Sequence, residues 1–358
     1  MEKKRILCVL ENLAQGGAER QLIGLATMLA KDGHDVRIIT YHSDCFYKYL
    51  LTGSGVSYEY VDRARNKLLR IPIITRYIRQ YAPDVVVAFL RTPSVITCCA
   101  KFLLRNFKLI VSERNTNQGI SFSEKLKFFL YRAADYVVPN SYSQTAFLKH
   151  HCKRLAKKIV TITNFTDTDY FLPTTREGNS ILKIACVGRI CKQKNVKRLI
   201  EALRKVVDIG LQLQVNWYGL EIQPYLDECV ELIKKHGLEQ VFYFHVQVDD
   251  VRTVYQESDV LMLPSIYEGF PNVVCEAMSC GLPILCSDVC DNRRIVRDKE
   301  NGILFDPYSI NDITSAIISF SELNKEEREV MGKRSRAYAL SDFSKYSFYS
   351  KYKKLILE

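Results

Sequence analysis

The sequence has no stretch of 18 apolar residues, so it predicts no helix that crosses a membrane. Its first five residues are mostly charged and lead directly into only five apolar residues, Ile6 to Leu10. So short an apolar run does not resemble the core of a secretory signal. We therefore expect a cytoplasmic protein whose contact with a membrane is peripheral, on the inner face of the cell membrane.

Cys-x-x-Cys pairs are also missing, although the chain has 12 cysteines. This absence argues against a zinc knuckle and against a thioredoxin-type redox pair. Several cysteines lie within apolar runs, such as Cys8, Cys186 and Cys286. They are expected to be free and mostly buried thiols, which is typical of a reducing compartment such as the cytosol.

Acidic residues are scarce in the first half of the chain. Residues 1–175 contain 26 Lys and Arg against 14 Asp and Glu, a net charge of +12, whereas residues 176–358 contain 25 against 26, or −1. The excess predicts an anionic partner such as nucleic acid, acidic lipid or a phosphorylated substrate. Within 63–81, 101–108 and 123–132 basic and apolar residues interleave, as on surfaces that contact anionic headgroups. Amphipathic helices whose Lys and Arg extend to solvent explain the same pattern.

Short apolar runs alternate with helical patterns through both halves, which indicates parallel sheets flanked by helices. Strands are predicted in the first half at 6–10, 36–40, 85–89, 109–112, 136–139 and 159–162. Strands are predicted in the second half at 183–187, 213–218, 241–245, 260–263 and 284–286. Helices are predicted there near 195–209, 223–236, 249–257, 272–280 and 309–320, with two more in the tail, 325–357.

The segment 164–180 contains Pro173, Gly178 and several Thr residues without apolar periodicity, which predicts a linker. Length alone also favours two domains. The predicted fold class is therefore α/β, with two Rossmann-like domains facing each other across a cleft. The predicted boundaries are 1–170 for the N-terminal domain, 171–340 for the C-terminal domain, and 341–358 for a C-terminal helix that crosses back to the first.

The segment from Pro264 to Met278 predicts a strand end, a turn and a helix start. Gly269 suits a turn conformation closed to other residues, and Pro271 suits the first position of a helix. The first backbone N–H groups of that helix, those of Asn272 and Val273, would be free to bind an anionic phosphate.

Two carboxylates, Glu268 and Glu276, stand on either side of this helix start with seven residues between them. Glu268 would lie in the loop and Glu276 more than a turn inside the helix. They could therefore reach different hydroxyl-rich parts of one ligand, as in a sugar nucleotide. A capped surface helix with two solvated acids is the plainer alternative.

In each half of the chain, a loop that contains glycine follows the first predicted strand. Gly16 and Gly17 precede the first helix, where bare backbone can approach a ligand, although a plain turn is as good an explanation. They are not a nicotinamide fingerprint, because the spaced third glycine is missing. In the second half Gly188 begins a loop that contains Arg189 and Lys194, whose cationic groups could bracket a diphosphate.

With these segments the chain resembles the retaining glycosyltransferases of family 4, which have the twin Rossmann-like architecture called the GT-B fold. The resemblance covers essentially the whole length. It rests on the segments 16–20, 112–115, 188–189 and 268–283, and the family's motif of two glutamates falls on Glu268 and Glu276. Relatives with this set of motifs often extend bacterial surface polysaccharides such as O-antigen, a part of lipopolysaccharide, or capsule.

The resemblance implies roles for the residues at the donor. Glu268 and the loop through Phe270 would hold the donor sugar, and Glu276 would accept hydrogen bonds from the ribose hydroxyls. Arg189 and Lys194 would bind the diphosphate.

In the same resemblance Gly17 would let the first domain close over the diphosphate, and the N–H groups of Asn272 and Val273 would complete its cradle. The implied reaction keeps the anomeric configuration, with attack on the face that the leaving group departs from. An oxygen of the leaving phosphate helps to deprotonate the acceptor hydroxyl. Stabilisation of the leaving group would therefore matter more than a strong protein base.

The sequence departs from the family where the nucleobase is expected. Gly219 is the sole remnant of a glycine-rich turn, and Phe244 to Gln247 stand where a glycine often follows the strand. Uridine is still the base we expect. Asp167 and Asp169 have the spacing of a metal-binding pair of another glycosyltransferase fold, but the resemblance implies that no metal or other cofactor is needed. Asp249-Asp250 is predicted to cap a helix.

The acceptor should bind the first domain, which carries the positive excess. The segment 112–115 is the candidate contact, with Arg114 toward phosphate or sugar and Glu113 orienting the loop. A lipid-linked saccharide diphosphate fits both the charge and the apolar interleaving, so the predicted partners are a nucleotide-sugar, this acceptor and an anionic membrane surface.

Three other readings compete with transfer to a lipid-linked acceptor. A soluble oligosaccharide acceptor keeps the reaction and changes only the second substrate. A sugar-nucleotide epimerase of the same fold would need no acceptor. A nucleic-acid-binding module is disfavoured, because the basic segments lack a recognition helix or an aromatic platform and the paired glutamates would have no role.

Overall fold

A computed structural model describes residues 2–114, 119–175 and 181–358. The chain divides into two units, which we call unit 1 (Met1–Asn164 with Tyr346–Glu358) and unit 2 (Phe165–Lys345). The division after Asn164 comes six residues before the predicted boundary at 170, and the chain returns to unit 1 at Tyr346 rather than at 341.

Unit 1 contains one six-stranded sheet of parallel strands in the order β3-β2-β1-β4-β5-β6. The strands are β1 (Arg5–Val9), β2 (Asp35–Thr40), β3 (Ser57–Tyr60), β4 (Val85–Phe89), β5 (Lys108–Glu113) and β6 (Tyr136–Pro139). The helices are α1 (Gly17–Lys31), α2 (Arg70–Tyr81), α3 (Arg91–Leu104), α4 (Phe122–Leu130) and α5 (Tyr142–His151). Short 3-10 helices lie at Phe46–Leu51, Asp62–Arg65, Tyr131–Ala133 and Lys153–Lys158.

The central strands of unit 1 are continuous apolar runs, because helices cover both faces of a parallel sheet. All five residues of β4 are buried, as are the last four of β1. In register, Ile6 of β1 is opposite Val36 of β2 on one side and Val85 of β4 on the other. The two edge strands of the sheet differ, because β3 is largely exposed whereas three of the four residues of β6 are buried.

Unit 2 repeats the arrangement, with a six-stranded parallel sheet in the order β12-β11-β10-β7-β8-β9. The strands are β7 (Leu182–Val187), β8 (Leu213–Tyr218), β9 (Phe242–His245), β10 (Val260–Leu263), β11 (Ile284–Ser287) and β12 (Gly302–Phe305). The first helices are α6 (Val196–Asp208), α7 (Tyr225–His236), α8 (Val251–Gln256) and α9 (Asn272–Ser279). The later ones are α10 (Asn292–Ile295), α11 (Ile310–Glu322) and α12 (Lys325–Asp342), and a 3-10 turn covers Lys192–Lys194.

Two apolar clusters fill unit 2, one on each face of its sheet. One contains Trp217, the single tryptophan of the chain, packed with α6, α7 and α11. The other contains α9 and the strand residues that face it, such as Leu261 and Cys286. Gly302 permits β12 to pair closely with β11, because a side chain there would lie 2.0 Å from the carbonyl oxygen of Ile284.

The last helix, α13 (Lys345–Leu357), belongs to unit 1 from Tyr346 onward. Its Tyr352 is fully buried beside Phe89 of β4. Asp32, just after α1, accepts hydrogen bonds from Tyr349 and Lys353 of this helix. Polar contacts as well as apolar packing therefore hold α13 on unit 1.

Most of the predicted strands are confirmed within one or two residues, but 159–162 is not a strand. That segment forms a single bridge, between Val137 and Ile159, before the chain leaves unit 1. The edge strands β3 and β12 were not predicted, because β3 is made of serine, tyrosine and glutamate and β12 has only three apolar residues after Gly302. All twelve cysteines are free, and seven of them are buried, as expected.

No helix within the described ranges is long and apolar enough to cross a membrane.

Candidate functional site

The carboxyl ends of β7 and β10 are the centre of the candidate site. These two strands are neighbours in the sheet, yet the chain leaves β7 toward β8 on one side and β10 toward β11 on the other. In open α/β sheets, ligands bind at such a point, where the direction of the strand order reverses. The loops 188–195 and 264–271 follow the two strands and carry most of the residues that the sequence singled out.

The loop after β7 is held against β8 through two glycines. Gly188 has a φ of +146°, a conformation that other residues rarely adopt, and its carbonyl oxygen accepts a hydrogen bond of 2.8 Å from Trp217 Nε1. A side chain on Gly219 would lie 2.1 Å from that same carbonyl oxygen. The absence of a side chain at Gly219 therefore allows the end of β8 to pack against the start of the loop. Trp217 contacts this loop directly, through its hydrogen bond to Gly188.

Lys194 and Glu268 form an ion pair between the two loops, with 2.6 Å from Lys194 Nζ to Glu268 Oε1. The side chains are only 13% and 9% exposed, so water screens the pair weakly. Arg189 lies on the same loop as Lys194 and is exposed, and its side chain has no ion pair with any residue of the described ranges. The edge thus carries two cations, of which one is tied to a carboxylate.

The start of α9 differs in detail from the prediction. Pro271 is the capping residue before the helix and not its first residue. The N–H of Asn272 donates to the carbonyl oxygen of Phe270 at 3.0 Å, so it is not free as expected. Gly269 is not among the glycines that have a left-handed φ in the described ranges. Phe270 instead fixes the loop, because its buried ring packs on Phe343 with 5.7 Å between centroids.

Glu276 lies inside α9 and is buried. The hydroxyl of Tyr255, from α8, donates a hydrogen bond of 3.2 Å to its Oε2. Glu268 is equally buried in the preceding loop, so neither carboxylate is the solvated surface acid of the plainer alternative. Both acids are held by protein groups at one edge of the sheet.

Sequence reasoning missed the residues that join the loops to each other. The Gln193 side chain donates a hydrogen bond of 2.9 Å to the carbonyl oxygen of Tyr267. In return, the backbone N–H of Ile266 donates a hydrogen bond of 2.9 Å to the backbone carbonyl oxygen of Gln193. Asn195 is buried, has a left-handed φ of 60°, and donates to the carbonyl oxygens of Pro264 and Pro307. The polar residues Gln193 and Asn195 on either side of Lys194 were the only local indication of these contacts. The residues that they bond are 69 to 112 positions away in the sequence, so the sequence did not reveal them.

Cys290, in the loop after β11, is a second residue that was missed. It has a left-handed φ of 50° and hydrogen-bonds the backbone of Glu268. Loss of hydration raises the pKa of this thiol, and the bond to the Glu268 backbone opposes the rise. Asn195 and Cys290 are thus two non-glycine residues with unfavourable backbone angles that contact the loop of Glu268, and such strain is concentrated at functional sites.

Of the predicted acceptor residues of unit 1, Glu113 lies in the interior and Arg114 is half-buried. Glu113 is buried at the end of β5 and accepts hydrogen bonds from Lys127, at 2.8 Å, and from Tyr131. Arg114 donates to Asn164 and, at 2.9 Å, to Tyr352 of α13. Loss of hydration lowers the pKa of Arg114. Contact of either residue with an acceptor stays a prediction, and Asn115 lies outside the described residues.

Arg114 also stacks on an aromatic ring, with its guanidinium carbon 3.8 Å from the centre of the Phe89 ring. Gly16 is the capping residue of α1, and Gly17 is its first residue. A side chain on Gly16 would lie 2.1 Å from the carboxylate of Glu19. Gly16 therefore makes room for a buried acid of its own helix, and a role of the two glycines at the donor stays a prediction.

The aspartate pairs take part in ordinary structural contacts. Asp167 forms an ion pair with Lys345 at 2.6 Å, and Asp250 caps α8 by accepting from the N–H of Arg252 at 3.0 Å. The capping prediction for Asp249-Asp250 is thus confirmed at its second residue. Across the ranges that the structure covers, no group of three or more His, Cys, Asp or Glu side chains is arranged to hold a metal ion.

Comparison with known families places each unit. The model described as "Glycosyltransferase Family 4" matches residues 15–170, and the model described as "Glycosyl transferases group 1" matches residues 176–338. Together these matches leave only 171–175 uncovered between 15 and 338. The candidate site lies within the second match.

Two proteins of Campylobacter jejuni are similar over most of their lengths. One is a GalNAc-alpha-(1->4)-GalNAc-alpha-(1->3)-diNAcBac-PP-undecaprenol alpha-1,4-N-acetyl-D-galactosaminyltransferase, 26% identical, with 84% of each chain covered. The other is an N-acetylgalactosamine-N,N'-diacetylbacillosaminyl-diphospho-undecaprenol 4-alpha-N-acetylgalactosaminyltransferase, 24% identical, with 92% of this chain and 93% of that one covered.

A solved structure of HepE from Anabaena, in complex with UDP and glucose, has the same fold. It superposes with a TM-score of 0.81 at 20% identity and covers 98% of both chains. The expected GT-B fold, an α/β architecture of two Rossmann-like units, is confirmed.

Proposed function

The chain belongs to the glycosyltransferases described by the family 4 and group 1 models, and from this membership we propose a specific reaction. The protein transfers a hexosyl or N-acetylhexosaminyl group from a UDP-sugar to a lipid-linked saccharide. It keeps the anomeric configuration, needs no metal, and acts in the synthesis of a surface polysaccharide such as O-antigen or capsule. The relatives from Campylobacter jejuni, whose names describe transfer to undecaprenyl diphosphate-linked saccharides, support the acceptor class.

The observation that carries the proposal is the Lys194–Glu268 pair at the point where the strand order of unit 2 reverses. In the proposed complex the donor diphosphate replaces Glu268 as the partner of Lys194, and the freed carboxylate accepts hydrogen bonds from the sugar hydroxyls. Arg189 adds a second cation on the same loop. Glu276, held by Tyr255, accepts hydrogen bonds from the ribose.

In the proposed step the bond between the anomeric carbon and the β-phosphate oxygen breaks, and the electron pair stays on UDP. The acceptor oxygen bonds to the anomeric carbon on the same face, and its proton passes to a phosphate oxygen of the leaving UDP. Negative charge grows on the diphosphate as the bond breaks. Lys194 and Arg189 stabilise that charge more in the transition state than before it, which is how a fixed cation accelerates a reaction.

Helix α4 of unit 1 supports peripheral binding to an anionic membrane. Its buried face carries the charges Glu124 and Lys127, whereas its exposed face carries Phe122, Leu126 and Phe129. The exposed three are spaced four and three residues apart, so they lie along one side of the helix. A helix with its apolar side outward beside the basic residues of unit 1 fits the headgroup region of an acidic bilayer.

Product analysis tests the reaction. The purified protein is mixed with a panel of sugar nucleotides and a short-chain polyprenyl diphosphate saccharide, and the products are identified by mass spectrometry and their anomeric configuration by NMR. A retained linkage to the lipid-linked acceptor, with chelator present, is expected. Transfer only to a soluble oligosaccharide would support the alternative acceptor, and conversion of the sugar nucleotide without an acceptor would support an epimerase.

Vesicle binding tests the location at the inner face of the membrane. Wild type should sediment with vesicles that contain acidic lipid, less so at high salt, and should not bind duplex DNA with comparable affinity. Replacing Phe122, Leu126 and Phe129 with serine should abolish sedimentation. Ile209→Ser, at an exposed apolar residue of unit 2, is the matched control and should sediment as wild type does.

A further inference from the structure

We propose that Asn195 is a positioning residue of the proposed reaction, which holds three loops of unit 2 in register around the Lys194–Glu268 pair. Its side-chain amide donates to the carbonyl oxygen of Pro264, at 3.0 Å, and to that of Pro307, at 2.8 Å. These carbonyls belong to the loops after β10 and β12, while Asn195 itself ends the loop after β7. One NH₂ group therefore joins the carboxyl ends of three strands.

The oxygen of the amide is also bonded. Arg198, on the first turn of α6, donates to the Asn195 Oδ1 at 2.9 Å. This bond fixes which end of the amide carries the two donor hydrogens, because a guanidinium group can only donate. Both donor hydrogens and the oxygen of this buried side chain are thus bonded to named partners.

The residue type follows from two demands that are made at one position. The backbone has a left-handed φ of 60°, which glycine adopts most easily and asparagine next. The side chain must donate two hydrogen bonds to carbonyl oxygens, which glycine cannot do and which a carboxylate, as an acceptor only, cannot do either. Asparagine meets both demands.

The consequence for the site follows from the neighbours of Asn195 in the chain. Lys194 precedes it directly, and Pro264 lies four residues before Glu268 on the loop that it holds. The distance between the Lys194 ammonium and the Glu268 carboxylate therefore depends on this amide, assisted by the Gln193 bond to Tyr267. A misplacement of about 1 Å in such a group can reduce a rate about 100-fold.

The test compares Asn195→Gly with wild type. Glycine keeps the left-handed backbone and removes the amide. We expect kcat/KM for the donor to fall about 10- to 100-fold, while KM for the acceptor changes less than about twofold. A residue that only filled space would lower the unfolding midpoint without separating the two substrates in this way.

A second variant and a control sharpen the result. Asn195→Asp keeps the size of the side chain and its bond to Arg198, so it should rescue activity if shape alone matters and should fail to rescue it if the two donated bonds matter. Arg198→Ala removes the bond to Oδ1 and the contact of the guanidinium with the Tyr308 ring but keeps both bonds that Asn195 donates, so it should stay within about threefold of wild type. Full activity of a folded Asn195→Asp protein would overturn the proposal.

Nucleotide binding separates this inference from the proposed function on which it rests. Trp217 is the single tryptophan and bonds the Gly188 carbonyl, so we expect its fluorescence to change when UDP binds at the loop, without any transfer. Asn195→Gly should weaken UDP binding at least about tenfold, and equal affinity would refute the role of Asn195. A wild-type protein that binds UDP but transfers no sugar would contradict the proposed function, while the two affinities would still decide the inference.

Discussion

Charged residues stand at the carboxyl ends of central strands in both units, but they are bonded in different ways. In unit 2, Lys194 and Glu268 come from two loops at the same edge and bond each other. In unit 1, Glu113 at the end of β5 is buried and Arg114 after it is half-buried, and both bond side chains of unit 1 itself. The charged residues of both units thus lie at strand ends, but those of unit 2 bond each other and those of unit 1 bond other side chains.

This difference shows what distinguishes a ligand site from internal bracing. In the proposed reaction a ligand replaces Glu268 as the partner of Lys194, and both side chains sit at the edge where the strand order reverses. Glu113 and its partners Lys127 and Tyr131 are all buried, so a ligand could not replace these partners without moving α4 or the 3-10 helix that follows it. We therefore expect substitutions of Lys194 or Glu268 to change catalysis and substitutions of Glu113 or Arg114 to change stability.

The largest expected effect is on Lys194→Ala, which removes the cation that the proposal aims at the leaving diphosphate. Loss of one such group typically lowers kcat about 100- to 1000-fold, and KM for the donor should change much less. Steady-state kinetics with varied donor measures both constants. Lys192→Ala, on the same 3-10 turn but exposed, is the control and should keep kcat within about twofold.

The next effect is on the unit 1 side of the comparison. Arg114→Ala should destabilise unit 1 by about 2 to 4 kcal/mol, because it leaves a cavity over Phe89 and removes the donors to Asn164 and Tyr352. Chemical unfolding followed by circular dichroism measures the loss, and Arg76→Ala, exposed on α2, should lie within about 0.5 kcal/mol of wild type. If instead the Arg114→Ala protein has normal stability but does not use the acceptor, the result would support the predicted contact between Arg114 and the acceptor.

The fold was largely predictable because apolar runs of strand length and helical periodicities are local features of a chain. Central strands such as β4 and β10 were predicted with their observed bounds, since burial on both faces demands continuous apolar sequence. The edge strands β3 and β12 escaped, because one exposed side relaxes that demand. The segment 159–162 was wrong for the opposite reason, since it is apolar but leaves the sheet after one bridge.

The site was predictable only as far as residue types at strand ends reveal it. The residues of the Lys194–Glu268 pair were identified from local sequence. The hydrogen bonds by which Asn195 joins the loops depend on partners that are distant in the chain. The bonding of Arg114 was hidden in the same way, because Tyr352 is 238 positions away. Which charges face a ligand and which face the interior is a property of tertiary packing.

A smaller effect is expected at Glu276. Glu276→Ala should raise KM for the donor about tenfold, which is about 1.4 kcal/mol, and leave kcat within about threefold, because the ribose is held equally in the ground and transition states. Donor titration under saturating acceptor separates the two constants. Glu239→Ala, an exposed acid of unit 2, is the control. A fall in kcat with unchanged KM would instead assign Glu276 to the reacting bond.

The smallest effect is the pH dependence that Asp32 gives to the docking of α13 on unit 1. Hydrogen bonds from Lys353 and Tyr349 lower the pKa of Asp32 below its usual value. A carboxylate with a lowered pKa stabilises the folded state above the unfolded pKa, about 3.9, and that contribution is lost as pH falls through the lower folded value. The difference in unfolding midpoint between wild type and Asp32→Asn should therefore be constant from pH 7 to 5 and shrink below about pH 4. The same difference in unfolding midpoint at pH 3 as at pH 7 would show that ionisation of Asp32 does not stabilise the docked α13. If instead the difference shrinks and Asp32→Asn has the kcat of wild type at neutral pH, this charge of unit 1 contributes to stability and not to catalysis.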